Sequence, residues 1–260
     1  MKINKVSLVY FSTTDNTKSI CETVGNAFGK ELQVYDRTPF ENRWSGAKFN
    51  SDDLVIIGMP SYYGRAPKII DEIFRYIEGN NTPAIFITTY GNREYEDTLL
   101  EIKNESEKRG FVGVGAGAFI GEHSFTSKMA TNRPDEKDME IAHNFAIQIK
   151  NRLEELDDLS GVDLKVSGNF PYKHITEPPV APSTNDNCGG CMLCQKSCPM
   201  AAISPYNAKE TDGFRCINCA RCIHICPKGA KYIGVDKIKE KVAIMEVMYS
   251  QRKEASTFII

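Results

Sequence analysis

The sequence predicts an α/β protein, with a doubly wound five-stranded parallel sheet followed by a small α+β domain built around cysteines. Three observations carry this. Short apolar runs alternate with helical stretches up to about residue 150, the pattern of parallel strands joined by crossover helices. A Gly-, Pro-, Ser- and Asn-rich stretch follows, from Leu156 to Asn187. Beyond it, eight of the nine cysteines recur between residues 188 and 226 in two copies of one spacing.

Four strands are strong: Val6 to Phe11, Leu54 to Gly58, Ala84 to Thr88 and Val112 to Phe119. Each is near-continuously apolar, as a strand covered by helices on both faces must be. Leu32 to Tyr35 is a weaker strand. Apolar residues recurring at three and four predict helices at about 17–29, 67–78, 95–109 and 135–155. The expected division is a sheet domain over 1–155, a linker over 156–184, a cysteine domain over 185–235 and a helical tail over 236–260. The linker contains Glu177-Pro178-Pro179-Val180-Ala181-Pro182, too proline-rich for a helix or a central strand. In the tail, Ile238, Val242, Met245 and Tyr249 stand at helical spacing.

At 260 residues, with 41% hydrophobic and 25% charged side chains, the chain has ordinary globular composition and room for two unequal domains. A formal charge of -2, with no long basic run, argues against a nucleic-acid partner. No apolar run is long enough for a signal-peptide core or a membrane span, so a cytoplasmic protein is expected. In that reducing setting clustered cysteines are read as metal ligands before disulfides. Cys21 stands apart from the cluster, in helical register with Val24 and Phe28, and reads as core.

Each copy of the repeat reads C-x2-C-x2-C-x3-C-P. The first places Cys188, Cys191, Cys194 and Cys198 before Pro199, and the second Cys216, Cys219, Cys222 and Cys226 before Pro227, 28 residues on. Zinc sites favour paired cysteines. Three thiolates on one tight loop instead suit three corners of an iron-sulfur cubane, while the fourth ligates the other cluster. The expectation is two [4Fe-4S] clusters with crossed ligation. One takes Cys188, Cys191, Cys194 and Cys226, and the other Cys216, Cys219, Cys222 and Cys198. Gly189 and Gly190 leave room for backbone amides near sulfur. His224, between two ligands, reads as a surface imidazole.

In an open parallel sheet the ligand lies beyond the carboxyl ends of the strands, where strand order reverses. Three loops there are informative. After the first strand come Ser12, Thr13, Thr14, Asp15, Asn16 and Thr17, whose hydroxyls and helix-opening amides suit a phosphate, or equally a plain helix cap. The loop after the third strand holds Pro60, Ser61, Tyr62, Tyr63 and Gly64, and the next Thr89, Tyr90, Gly91, Asn92 and Tyr95. Tyrosines there could stack on a flat ring system, with backbone amides at its edge. Glu122 and His123 read as a polar capping loop, and no residue is assigned a catalytic role.

The cysteine segment, with Ala201-Ala202-Ile203 and Gly229-Ala230 after its two Cys-Pro pairs, resembles the bacterial two-cluster ferredoxins. The hydroxyl-rich loop resembles the flavodoxin phosphate loop, matching at Ser12, Thr14 and Thr17 and departing at Asp15, where that family has glycine. Over residues 3 to 235 the chain is similar to the flavodoxin-ferredoxin fusion family of anaerobes. The resemblance implies a flavodoxin-like fold, FMN as cofactor beside the clusters, and one-electron transfer with a redox protein as donor or acceptor. Cluster and flavin would meet within one chain or across a homodimer. Two competing functions remain open at this point. One is a flavin-dependent reductase of a small-molecule acceptor fed by the clusters, without a dinucleotide fingerprint. The other is a cluster-based redox sensor lacking FMN.

Overall fold

The computed structural model describes residues 1–176 and 180–260. In chain order the elements are β1 (Lys5–Tyr10), α1 (Asn16–Asn26), β2 (Leu32–Asp36), β3 (Ala47–Phe49), β4 (Asp53–Pro60), α2 (Ile70–Ile73), β5 (Ile77–Gly79) and β6 (Thr82–Tyr90). There follow α3 (Thr98–Glu107), β7 (Phe111–Ile120), α4 (Glu136–Glu155), β8 (Ser183–Thr184), α5 (Leu193–Lys196), α6 (Arg221–His224), β9 (Lys231–Tyr232), α7 (Asp236–Met248) and β10 (Ser256–Ile259).

The five expected strands form the main sheet, side by side as β2-β1-β4-β6-β7 and all parallel. Numbered by appearance that order is 2-1-3-4-5, the flavodoxin-like doubly wound arrangement, with its switch point between β1 and β4. β4 and β6 are buried along nearly their whole length, because α1 and α4 cover one face and α2 and α3 the other. Cys21 is fully buried under α1 in one of these two cores, as its register predicts.

Three features differ from the expected layout. Residues 67–78 form only the single turn α2, although Ile69, Ile70, Ile73, Phe74 and Ile77 are all buried at helical spacing. Tyr76 takes a left-handed φ of 59° and ends the turn, and the next residues pair as β5 with β3 in a small parallel ladder. The tail is a helix, but it returns. After α7 the last residues form β10, antiparallel to β7, so the sheet has a sixth strand. Much of the expected linker is packed rather than free. Leu159 and Leu164 enter the two cores, and the amides of Asn169 and Lys173 donate to Asp97 at 2.7 and 2.6 Å. Its residues 177–179 lie outside the described residues.

Among the described residues no helix is long and apolar enough to cross a membrane.

Candidate functional site

The two cysteine copies fold alike because the repeat places its left-handed residues at equivalent positions. Gly190 and Asn218, Met192 and Ala220, and Ala201 and Gly229 all have positive φ, each pair 28 residues apart. α5 and α6 occupy matching positions, and after each Cys-Pro an amide donates to a cysteine sulfur, Ala202 to Cys198 at 3.4 Å and Ala230 to Cys226 at 3.2 Å. Asn218 N adds a third such bond, to Cys216. Amides aimed at sulfur stabilise negative charge there.

The two copies bring their cysteines close together, with Cys188, Cys198 and Cys222 packed around Cys194. Cys188, Cys191, Cys194 and Cys226 line one hollow with Pro227 and Lys231. Cys219 lies within the field of Cys222, Cys198 and Cys216. Burial pushes the Cys219 and Cys222 thiols up to about 12, so metal binding there must displace protons. Among the described residues no three His, Cys, Asp or Glu groups converge as tightly as a single ion requires.

The second copy plugs into the sheet domain. Ile217 and Cys219 are buried in the same core as β1, β4 and β6. Arg221 Nη1 donates to Thr13 O at 2.8 Å, Thr13 Oγ1 donates to Cys219 O at 3.4 Å, and His224 Nε2 meets Ser124 O at 2.8 Å while staying exposed. From the sheet side, the buried Arg43 guanidinium donates to Pro199 O at 2.7 Å.

Beside this junction lies a cavity of about 340 Å³, within the range of cofactor pockets. Its walls include Ser61, Tyr62, Tyr63, Tyr90 and Gly91 from the strand-end loops, Asn218 from the second cysteine copy, and Val242 and Met245 from α7. The first loop is a tight turn. Tyr62 and Arg65 exchange backbone bonds of 2.9 and 3.0 Å across Tyr63 and Gly64, both at positive φ, which is the type I′ geometry. Gly64 is required twice over, since a Cβ there would also fall on the Glu96 carboxylate. Arg65 clamps the loop through a bidentate pair with Glu101 at 2.7 and 2.6 Å. Tyr62 then reaches Thr13 Oγ1 at 2.9 Å, and burial with Cys219 close by pushes its hydroxyl well above the ordinary tyrosine range.

The loop after β1 departs from a simple picture of free hydroxyls. Ser12 Oγ accepts from Lys18 N at 3.1 Å, Thr17 shares a bond of 2.7 Å with Thr89, and Thr13 is held by Tyr62. The donors left over are the Thr14 hydroxyl and the amides from Thr13 to Thr17, ahead of and at the start of α1, which have no acceptor among the described residues. Asp15 takes φ 63°, the left-handed angle that glycine would supply, and is exposed. Its carboxylate therefore turns to water. These amides fit an anion such as the phosphate of FMN, and the cavity with its tyrosines fits a flat ring system.

The other predicted loop residues serve the scaffold around the cavity. Pro60 pairs in register with Thr89 at the end of β4, and Tyr95 is buried against Tyr90 with ring centroids 5.4 Å apart. Asn92 ties down the tail instead, Nδ2 donating to Tyr249 O and Gln251 O at 2.7 and 2.8 Å. Glu122 caps Asn132 N at 2.8 Å. His123 does reach the cavity, where burial and Arg93 hold its pKa down to about 4. Sequence reasoning missed Arg43, Asn218, Arg221 and the α7 wall. Only the adjacency of Asn218 and Arg221 to cysteines of the repeat could have hinted at two of them.

A family model described as a 4Fe-4S dicluster domain matches residues 187–231. No curated protein sequence matches the chain. Among solved structures, a flavodoxin from the domain Archaea is 16% identical and aligns over 58% of this chain and 100% of its own, with a TM-score of 0.41. Oxidised flavodoxin 2 from Bacillus cereus is 20% identical over 57% and 99% of the two chains, with a TM-score of 0.38. Rubredoxin oxygen:oxidoreductase from Desulfovibrio gigas is 15% identical, with a TM-score of 0.42, over 59% of this chain but only 37% of its own.

Proposed function

We propose that the chain is an electron-transfer iron-sulfur flavoprotein, in which two [4Fe-4S] clusters exchange electrons with an FMN in the cavity beside them. One observation carries this reading above the rest. Asn218, between the ligands Cys216 and Cys219, is itself part of the cavity wall, and Tyr62 touches both the cavity and the surroundings of Cys219. Proximity sets the rate of electron transfer, and here one chain provides it without a dimer.

The residues divide the work. Cys188, Cys191, Cys194 and Cys226 hold one cluster, and Cys216, Cys219, Cys222 and Cys198 the other. Each cluster supplies a one-electron couple tuned by the amides on its sulfurs. The free amides of Asp15, Asn16 and Thr17 hold the FMN phosphate, aided by the α1 dipole. Tyr62, Tyr63, Tyr90 and Gly91 orient the ring system, whose chemistry joins one-electron to two-electron transfer. Asn92, through its hold on the tail, keeps α7 over the cavity and limits water there. Cys191 is exposed, so a redox protein partner docks at the first cysteine copy. Thiolate ligation suits a reducing compartment such as the cytoplasm, in keeping with the resemblance to the fusion family of anaerobes.

Anaerobic purification with assay of iron, acid-labile sulfide and flavin tests the proposal. The expected yield is about eight irons and about one FMN per chain. Protein that carries zinc and ignores added FMN overturns it. Steady turnover of a small acceptor in the same preparation would identify a reductase rather than a carrier.

A further inference from the structure

The two cysteine sets share a buried cation but not a second one. Lys231 is buried, and its charge reaches Cys194 and Cys226 of one set and Cys222 of the other. It therefore acts on both. Arg43 is different. It is 2% exposed, it comes from the sheet domain, and its field falls on Cys198 and Cys219, both of the second set.

Its position is fixed on every side. Nε donates to Arg37 O at 3.0 Å, Nη2 to Thr38 O at 3.3 Å and to Pro199 O at 2.7 Å, and Nη1 to Glu72 Oε2 at 3.1 Å. Phe11 and Phe40 lie against the guanidinium, with ring centroids 5.5 and 5.8 Å away. Arg37 anchors this corner, its own guanidinium donating to the carbonyls of Ile73, Asn42, Ser45, Arg43 and Arg75. A buried arginine stays charged. Glu72 offsets part of that charge, but it reaches out towards solvent with its side chain 38% exposed, where its field is screened.

We propose that Arg43 raises the reduction potential of the cluster held by Cys216, Cys219, Cys222 and Cys198 above that of its partner, making electron flow towards the flavin cavity downhill. Reduction adds one negative charge to a cluster, and a fixed cation nearby in a poorly hydrated setting stabilises the reduced form. The step is one electron passing from the first cluster to the second. No bond forms or breaks, the first is oxidised as the second is reduced, and a low-potential redox protein resupplies the first.

The inference rests on the two-cluster reading, and the test keeps the two separable. The reconstituted full chain is titrated anaerobically, with each reduced cluster followed by its electron paramagnetic resonance signal. Cys191→Ser identifies the signal of the first site. The native protein should show two midpoints, the higher at the second site. Arg43→Gln should lower that midpoint alone, shifting the inter-cluster equilibrium about tenfold, about 59 mV for a one-electron couple. Arg43→Lys should restore most of it. Glu72→Gln should move the same midpoint the opposite way, and it decides between the outcomes if Arg43→Gln fails to fold. Unmoved midpoints, or equal shifts at both sites, overturn the proposal. A native protein with about four irons and one signal overturns the two-cluster reading itself.

Discussion

The two cysteine copies have nearly the same local backbone and quite different surroundings. In the first, Cys191 and Gly189 are exposed and a Cβ added at Gly189 would meet nothing within 4 Å. In the second, Ile217 occupies the place equivalent to Gly189 and is 3% exposed in the core of the sheet domain. Leu193 is exposed where Arg221, its counterpart, binds the loop after β1. The left-handed positions recur with the repeated cysteine spacing. The residues between the cysteines differ from copy to copy, and they separate one copy into a solvent-facing segment and the other into a buried junction.

The largest expected effect breaks the symmetry at the ligands. Cys191→Ser and Cys219→Ser should each lower the iron content from about eight to about four per chain. They should differ in what else they do. Cys219 is buried in the core at the domain junction, so its loss should also lower the thermal midpoint of the sheet domain. Cys191→Ser should leave that midpoint in place. Iron assay and calorimetry on the two variants decide the matter, and equal thermal effects would dissolve the distinction between exposed and buried copies.

A smaller effect isolates the plug from the ligation. Ile217→Ala removes a fully packed side chain and should cost about 2–4 kcal/mol in denaturant unfolding of the sheet domain. At the equivalent position, Gly189→Ala should cost less than about 0.5 kcal/mol, because the new methyl group enters open space. Both variants should keep about eight irons. A large loss at Gly189 would mean that the first copy is packed as tightly as the second.

How much of this was legible beforehand follows from the range of the interactions. The strands, the α1, α3 and α4 helices and the cysteine repeat are written in local period and spacing, and all were readable. The shortening of residues 67–78 was not, since a run of buried isoleucines at helical spacing serves a turn and a strand equally well once β3 is there to pair with β5. The return of the tail as β10 depends on contacts across more than a hundred residues, such as Arg133 to Lys253 O at 2.8 Å and Arg252 to Asp135 at 2.6 Å. Arg43 illustrates the limit at the site. An arginine in a loop reads as a surface charge, and the partners that bury it, from Arg37, Thr38, Glu72, Phe11 and Phe40 to Pro199 of the cysteine domain, are set by tertiary packing. In the loop after β1 Asp15 was legible as a residue standing where glycine is expected, and it takes glycine's left-handed angle, whereas the engagement of Ser12, Thr13 and Thr17 by protein partners was not legible.

The smallest effect concerns Arg221, which comes from the second cysteine copy yet meets the loop proposed to hold the FMN phosphate. Its guanidinium donates to Thr13 O, within the segment that carries the unpartnered amides, so it brings a cation of the cysteine domain to that loop. Arg221→Gln should weaken FMN binding about tenfold, about 1.4 kcal/mol, as measured by quenching of flavin fluorescence. Riboflavin, which lacks the phosphate, should bind the variant and the native protein equally. Leu193→Gln, at the equivalent place in the first copy, should change neither. Equal weakening of FMN and riboflavin would assign Arg221 to domain docking alone, whereas a loss confined to FMN makes the cysteine domain part of the flavin site.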